Sequence, residues 1–320
     1  MTEEQDAVLV VGAAGFLGGA IVRSLANRAI PVRGLIRRDD QAERIRHEGG
    51  SPVRGDILDP STLERALRGC RAVVHVAANP SDAGAGEGRE RAVRVDGARN
   101  LVRAAHRAGI RRLVLGSGYW VYRDAEGPLD EDAEVAPIGE AAINFAAEGE
   151  AQRAARSPGL EVVIARPGMV YGPGAWFIPI VDALRRGEYR LIDGGLNPWS
   201  FVSLEDTGEA FATLLERGEP ESVYTVVDDR PAPWGEFARH VADRLRVPAP
   251  TSLSLAEATA LYGEIIARQL SARRAMHAPR LRRLGWRPRW GEYAAGVDRL
   301  LERLGARAPG TPGEQPFVDG

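Results

Sequence analysis

The chain has 320 residues, 44% hydrophobic and 27% charged, with a net charge near −2. That composition gives a globular chain room for one large or two moderate cores, and it excludes nucleic acid or an anionic membrane as partners drawn by bulk positive charge. All 42 basic residues are Arg, a compositional bias, and the lone Cys70 excludes an internal disulfide and suits a reducing compartment.

The N-terminal stretch "MTEEQDAVLVVGAAG" is acidic and enters a strand at once. It has no signal-peptide character, and no apolar run reaches the length of a membrane span, so a cytoplasmic location is expected. "AVLVV" (7–11) reads as a buried strand, 16–27 as a helix, "VRGLI" (32–36) as a second strand and "SPVRGD" (51–56) as a third. A helix follows at 60–68, with Asp59 as N-cap and Pro60 at the first helical position. "AVVHVAA" (72–78) is a fourth strand, 82–90 a mobile loop, and 89–108 a long amphipathic helix closed by Gly109. "RRLVLGS" (111–117) is a fifth strand, 138–156 another helix and "LEVVIAR" (160–166) a sixth strand. Strands alternating with helices mean parallel strands joined by helical crossovers. The fold class is therefore α/β, a doubly wound parallel sheet.

After Arg166 the pattern changes, and Pro, Gly and Trp cluster. Short strands at 191–192, 201–203 and 223–227 mix with helices near 205–217, 234–244, 255–268 and 291–304. This predicts a nucleotide-binding domain over 1–166 and a smaller, interleaved substrate domain over 167–306, with 201–217 returning to the first. The Pro/Gly-rich tail 307–320 is expected to be disordered.

Gly12, Gly15 and Gly18 lie between the first strand and first helix, with Phe16 and Leu17 opening the helix. Gly12 allows a tight turn, Gly15 lets backbone approach a pyrophosphate, and Gly18 lets helix and strand pack closely. The phosphates then meet free N–H groups at the helix N-terminus. At the tip of the second strand an acidic residue would accept from the ribose hydroxyls of NAD, but Arg37 and Arg38 stand there, which suits the 2′-phosphate of NADP(H). His75, inside an apolar strand, reads as a core histidine, and with Cys70 it gives too few ligands for a metal.

These residues, together with "GDILDP", "VVHVAA", "VDGARNLVRAAHRAG", "RPGMVYGPG", "FVSLEDTGEAF", "YTVVDDRPAPWGEF" and "RRLGWRPRW", resemble the extended short-chain dehydrogenase/reductase family in its NAD(P)-dependent epimerase/dehydratase branch. The resemblance spans roughly 7–300. It implies a cofactor lying across the carboxyl ends of the strands, with Asp56 and Ile57 near the adenine and Ala77, Ala78 and Pro167 lining the cofactor. It also implies the option of a homodimer built on helices 89–108 and 138–156.

In that family a Ser or Thr, a Tyr and a Lys do the proton chemistry. Their places fall here on Gly118, Phe145 and Gly149, with Ser117 one residue early, so the trio is degenerate. The helix around 145 has no Tyr and the chain has no Lys, so no shift of register restores the pair. Arg153, two turns on from Phe145, is a poor stand-in for Lys. Tyr119 occupies a place that carries acid/base residues in the sugar-nucleotide dehydratases, and Glu148, partly buried, would be a base with a raised pKa. Tyr119, Glu148 and Ser117 are thus the candidate catalytic residues. Trp120, Asn144, Phe145, Met169, Tyr171, Trp176, Phe177 and Trp199 make an apolar, aromatic candidate pocket for a hydrophobic small molecule, a natural-product-like intermediate. Three readings stay open: an oxidoreductase with a non-standard proton donor, a non-redox isomerase, cyclase or lyase with the cofactor as scaffold, and a nucleotide sensor without turnover.

Overall fold

The structure is a computed structural model, and it describes residues 6–77, 87–155 and 159–305. In chain order the first half runs β1 (Ala7–Val11), α1 (Phe16–Asn27), β2 (Val32–Ile36), α2 (Ala42–His47), β3 (Ser51–Arg54), α3 (Pro60–Leu67), β4 (Cys70–His75), α4 (Glu87–Arg91), α5 (Gly97–Arg107) and β5 (Arg112–Gly116). It continues through β6 (Pro128–Leu129), α6 (Glu140–Ala155), β7 (Glu161–Pro167), β8 (Met169–Tyr171), α7 (Phe177–Arg185), β9 (Arg190–Ile192), β10 (Pro198–Trp199), β11 (Phe201–Ser203) and α8 (Leu204–Arg217). The remainder is β12 (Val223–Val226), β13 (Ala232–Pro233), α9 (Trp234–Leu245), β14 (Thr251–Leu253), α10 (Leu255–Tyr262), α11 (Glu264–Ser271), β15 (Ala275–Met276), α12 (Pro279–Arg283) and α13 (Tyr293–Gly305).

Seven parallel strands form one sheet in the order β12-β7-β5-β4-β1-β2-β3. Strands covered on both faces need unbroken apolar runs, and all five residues of β1 are buried. The order reverses between β1 and β4, and in open α/β sheets a ligand crevice opens at the carboxyl ends beside such a switch point. Asp59 caps α3 as read, its Oδ1 accepting from Ser61 N at 3.0 Å.

Several readings need correction. β12, expected among the short strands of the substrate region, pairs with β7 in the main sheet. Of the loop expected at 82–90, residues 87–90 are helical, and the helix expected at 89–108 is interrupted by a π-helical turn at Ala92–Asp96. The helix expected at 255–268 is two helices, broken at Gly263, whose φ of +85° an L side chain rarely adopts. The fourth strand ends at His75; Ala78 and the tail from 306 lie outside the described residues. No helix among the described residues is long and apolar enough to cross a membrane.

Candidate active site

The glycine turn after β1 is tightly determined. Gly12 has φ +92°, and a Cβ there would stand 2.7 Å from Ala77 N. A Cβ on Gly18 would fall 1.9 Å from Gly12 O, so only glycine lets α1 pack this close. Gly15 differs: it is exposed, and among the described residues a Cβ there would meet only Gly12 O, at 3.2 Å. Among the described residues the space over Gly15 is open, as a backbone cradle for a pyrophosphate requires. Gly15 is also the N-cap of α1, with no side-chain cap and no acidic residue in the first turn, so the N–H groups around Phe16 and Leu17 face an anion's place uncontested. The ring of Phe16 lies against Gly172 and Gly174, where a Cβ would come within 3.0 and 3.2 Å of it. These residues fit the diphosphate of a dinucleotide.

At the tip of β2, the backbone N–H groups of Arg37 and Arg38 donate to Gln41 Oε1 at 2.9 and 3.2 Å. The acidic residues that follow are both engaged, Asp40 by Arg38 at 3.2 Å and Asp39 by Arg54. Asp56 is half-buried with Oδ1 accepting from Leu58 N at 2.9 Å, and Ile57 is buried against Gly97. Pro167, at the end of β7, is buried. His75 is buried, its Nδ1 accepting from Ala77 N at 3.3 Å; burial, helped by the charge of Arg94, pushes its pKa down to about 4 and keeps it neutral. It is a core histidine beneath the crevice.

The three trio places carry no reactive side chain, and the structure removes both proposed substitutes. Tyr119 is fully buried and its hydroxyl has no partner among the described residues. Burial raises its pKa far above a free phenol's, with Arg274 pulling the other way, so it is a poor acid. Glu148 is fully buried, and its two oxygens accept from Arg166 Nε at 2.9 Å and Nη2 at 2.6 Å. A carboxylate gripped at both oxygens is a structural ion pair, and the expectation of a partly buried free base is corrected. Ser117 Oγ is buried without a partner among the described residues, while its N–H donates to Ala165 O at 2.8 Å. Beside the Lys place, a Cβ on Gly149 would meet Arg153 Nη1 at 3.4 Å, and Arg153 Nη2 pairs with Glu150 at 2.5 Å.

The aromatic pocket divides in two. Trp199 is buried, 4.4 Å from the Trp234 ring, with Nε1 donating to Ala272 O at 3.2 Å. Phe177 is fully buried against Phe237 at 6.3 Å, and Tyr171 is buried against the same ring. Trp176 joins this cluster 5.6 Å from Trp234. Tyr171, Phe177 and Trp199 pack this buried aromatic cluster, which corrects their reading as pocket walls, while Trp176 is half-buried at its edge. Trp120, Asn144 and Met169 are half-buried and Phe145 is exposed, so these four keep surface toward open space. Sequence reading missed Arg94, Arg166 and Arg274. Arg274 is buried, with Nε donating to Tyr122 O at 2.8 Å and its guanidinium 5.1 Å from the Trp120 ring. Apart from the Glu90–Arg94 pair one helical turn apart, their partners lie 18 to 154 positions away, and no local pattern marks such pairs.

A doubly wound sheet with a glycine turn at its switch point defines a dinucleotide-binding α/β protein. Residues 8–226 match the model of the NAD dependent epimerase/dehydratase family, and the chain belongs to that family, within the NAD(P)-dependent short-chain dehydrogenase/reductase superfamily of enzymes. It is 32% identical over 312 residues to a 3-diazoavenalumate denitrifying reductase of a Streptomyces species, covering 91% of this chain and 99% of that protein. It is 29% identical over 270 residues to the 4-hydroxy-2-methyl-3-oxo-4-farnesyl-3,4-dihydroquinoline-1-oxide ketoreductase of Stigmatella aurantiaca, covering 82% and 80%. The dTDP-glucose 4,6-dehydratase DesIV of Streptomyces venezuelae, solved with NAD and TYD bound, superposes with a TM-score of 0.79 at 25% identity, over 94% of this chain and 97% of that one.

Proposed function

We propose that the protein is an NADP(H)-preferring reductase of a hydrophobic, natural-product-like small molecule, and that it lacks a proton donor at the family's trio. The observation that carries this is an intact dinucleotide cradle at Gly12, Gly15 and Gly18 combined with Gly118, Phe145 and Gly149 at the trio's places. The nicotinamide, when bound in reduced form, supplies hydride. The chain's own share is to bind and orient: the α1 N-terminus holds phosphate, Arg37 and Arg38 suit a 2′-phosphate, and Trp120, Phe145 and Met169 offer apolar surface to the substrate.

A site without an acid suits an electrophile that needs no proton. In a diazonium-type substrate, two electrons form the new C–H bond while the C–N bond breaks and dinitrogen leaves. The name of the Streptomyces relative, with its diazo substrate and denitrifying action, supports this reading. The ketoreductase relative supports a second one, a ketone whose alkoxide takes its proton from water. The test is to offer arenediazonium salts and hydrophobic ketones and to follow reduced-nicotinamide absorbance. Cofactor loss equal to product formed supports the reductase. Substrate conversion with an unchanged cofactor spectrum transfers the protein to the isomerase, cyclase or lyase reading.

A further inference from the structure

Asn144, on α6, has its side-chain amide over the carboxyl end of β5. Its Oδ1 accepts a hydrogen bond from Arg94 Nη1. Only the amide oxygen can accept from a guanidinium, so this bond fixes which way the amide faces. Nδ2 therefore points away from Arg94, and a Cβ on Gly118 would lie 3.8 Å from it. Nδ2 donates to no acceptor among the described residues, and Asn144 is only half-buried. Gly118 puts no hydroxyl or other acceptor beside that N–H.

Arg94 is itself held. Nη2 pairs with Glu90 at 2.8 Å and also with Glu140, and the side chain is 12% exposed. It sits in the middle of the π-helical turn Ala92–Asp96, a local distortion that helices often carry at functional positions. One strand away, the neutral His75 offers no competing charge.

We propose that Asn144 Nδ2 is the hydrogen-bond donor that receives the substrate's acceptor atom beside the reacting carbon, and that Arg94 is the positioning residue that locks the amide. This rests on the reductase reading and names the chemistry of its substrate: a neutral or developing-anion acceptor, carbonyl oxygen being the simplest. The amide donates a hydrogen bond and transfers no proton; as the carbonyl carbon gains hydride, the oxygen becomes an alkoxide held by the N–H, and water supplies its proton. Placed where negative charge develops, one such donor accounts for about 10²–10³ in kcat.

The experiment uses the full-length ¹⁵N-labelled protein saturated with NADP⁺, which prevents turnover, and cyclohexanone as the acceptor probe. The Asn144 side-chain NH₂ resonance, assigned by its loss in Asn144→Asp, should move on titration, and Arg94→Leu should broaden it or abolish the response. A resonance unmoved by cyclohexanone, or an Asn144→Ala protein that binds the probe as the wild type does, overturns the assignment. In parallel, trans-cinnamaldehyde and NADPH measure turnover. Asn144→Ala should lower kcat by about 10²–10³ with cofactor affinity unchanged, and Arg94→Leu by up to about 10². If the wild type consumes no NADPH, the reductase reading fails while the titration still decides the role of Asn144. If the wild type turns over and Asn144→Ala matches it, the inference fails and the reductase reading stands.

Discussion

Glu148 and Arg166 form a two-point ion pair, at 2.9 and 2.6 Å, between the middle of α6 and the end of β7, with both side chains closed off from solvent. Removing one partner leaves the other charge buried and uncompensated. Glu148→Gln should therefore act on folding, at about 3–5 kcal/mol. Urea denaturation of Glu148→Gln and of Glu148→Gln/Arg166→Met checks this, the double variant recovering part of the loss. A fully stable Glu148→Gln with abolished activity would instead restore Glu148 as a catalytic base.

Tyr119→Phe removes a hydroxyl that is buried without a partner among the described residues. It should leave kcat within about twofold and raise stability by about 1 kcal/mol, because an unsatisfied polar group is lost at constant shape. Steady-state kinetics and thermal unfolding of this one variant decide it.

The cradle glycines should separate by role. Gly15→Val should fold and fail to bind either nicotinamide dinucleotide, since its side chain would enter only the open space over the turn. Gly18→Ala should destabilise the fold, because its Cβ would overlap Gly12 O. Calorimetric titration and unfolding midpoints distinguish the two. In the same titrations the wild type should prefer NADP(H), and Arg37→Ala/Arg38→Ala should lose that preference.

His75 makes the fold acid-sensitive. Its folded pKa of about 4 lies below the ordinary 6.5, so the unfolded chain binds more protons between those values. Stability is then constant above about pH 6.5 and falls as pH drops toward 4, by at most about 1.4 kcal/mol per pH unit from this group. His75→Gln should flatten that part of a stability-versus-pH curve.

The repeating half of the fold was legible because most strands there have an apolar centre of strand length bounded by turn residues, as AVLVV of β1 and LVL of β5 show. β12 escaped because a four-residue run looks the same in the main sheet as in a minor one, and only its pairing with β7 tells them apart. The glycine cradle was legible for a related reason: each glycine answers a local steric demand. Trp199 and Phe177 misled, since Pro and Gly neighbours suggested loops while Trp234 and Phe237, distant in sequence, bury them. Glu148 and Tyr119 were placed near the right elements, but a partner 18 residues away and the depth of a side chain leave no trace in sequence spacing.

The most direct test of the account follows the hydride. NADPH carrying deuterium at the transferred C4 position is incubated with the protein and a substrate it converts, and the product is weighed by mass spectrometry. A nicotinamide-dependent reductase without the trio puts one deuterium on the product carbon for each NADPH consumed, and Phe145→Leu does the same. Product formed with no deuterium, and with the labelled cofactor recovered intact, would contradict it.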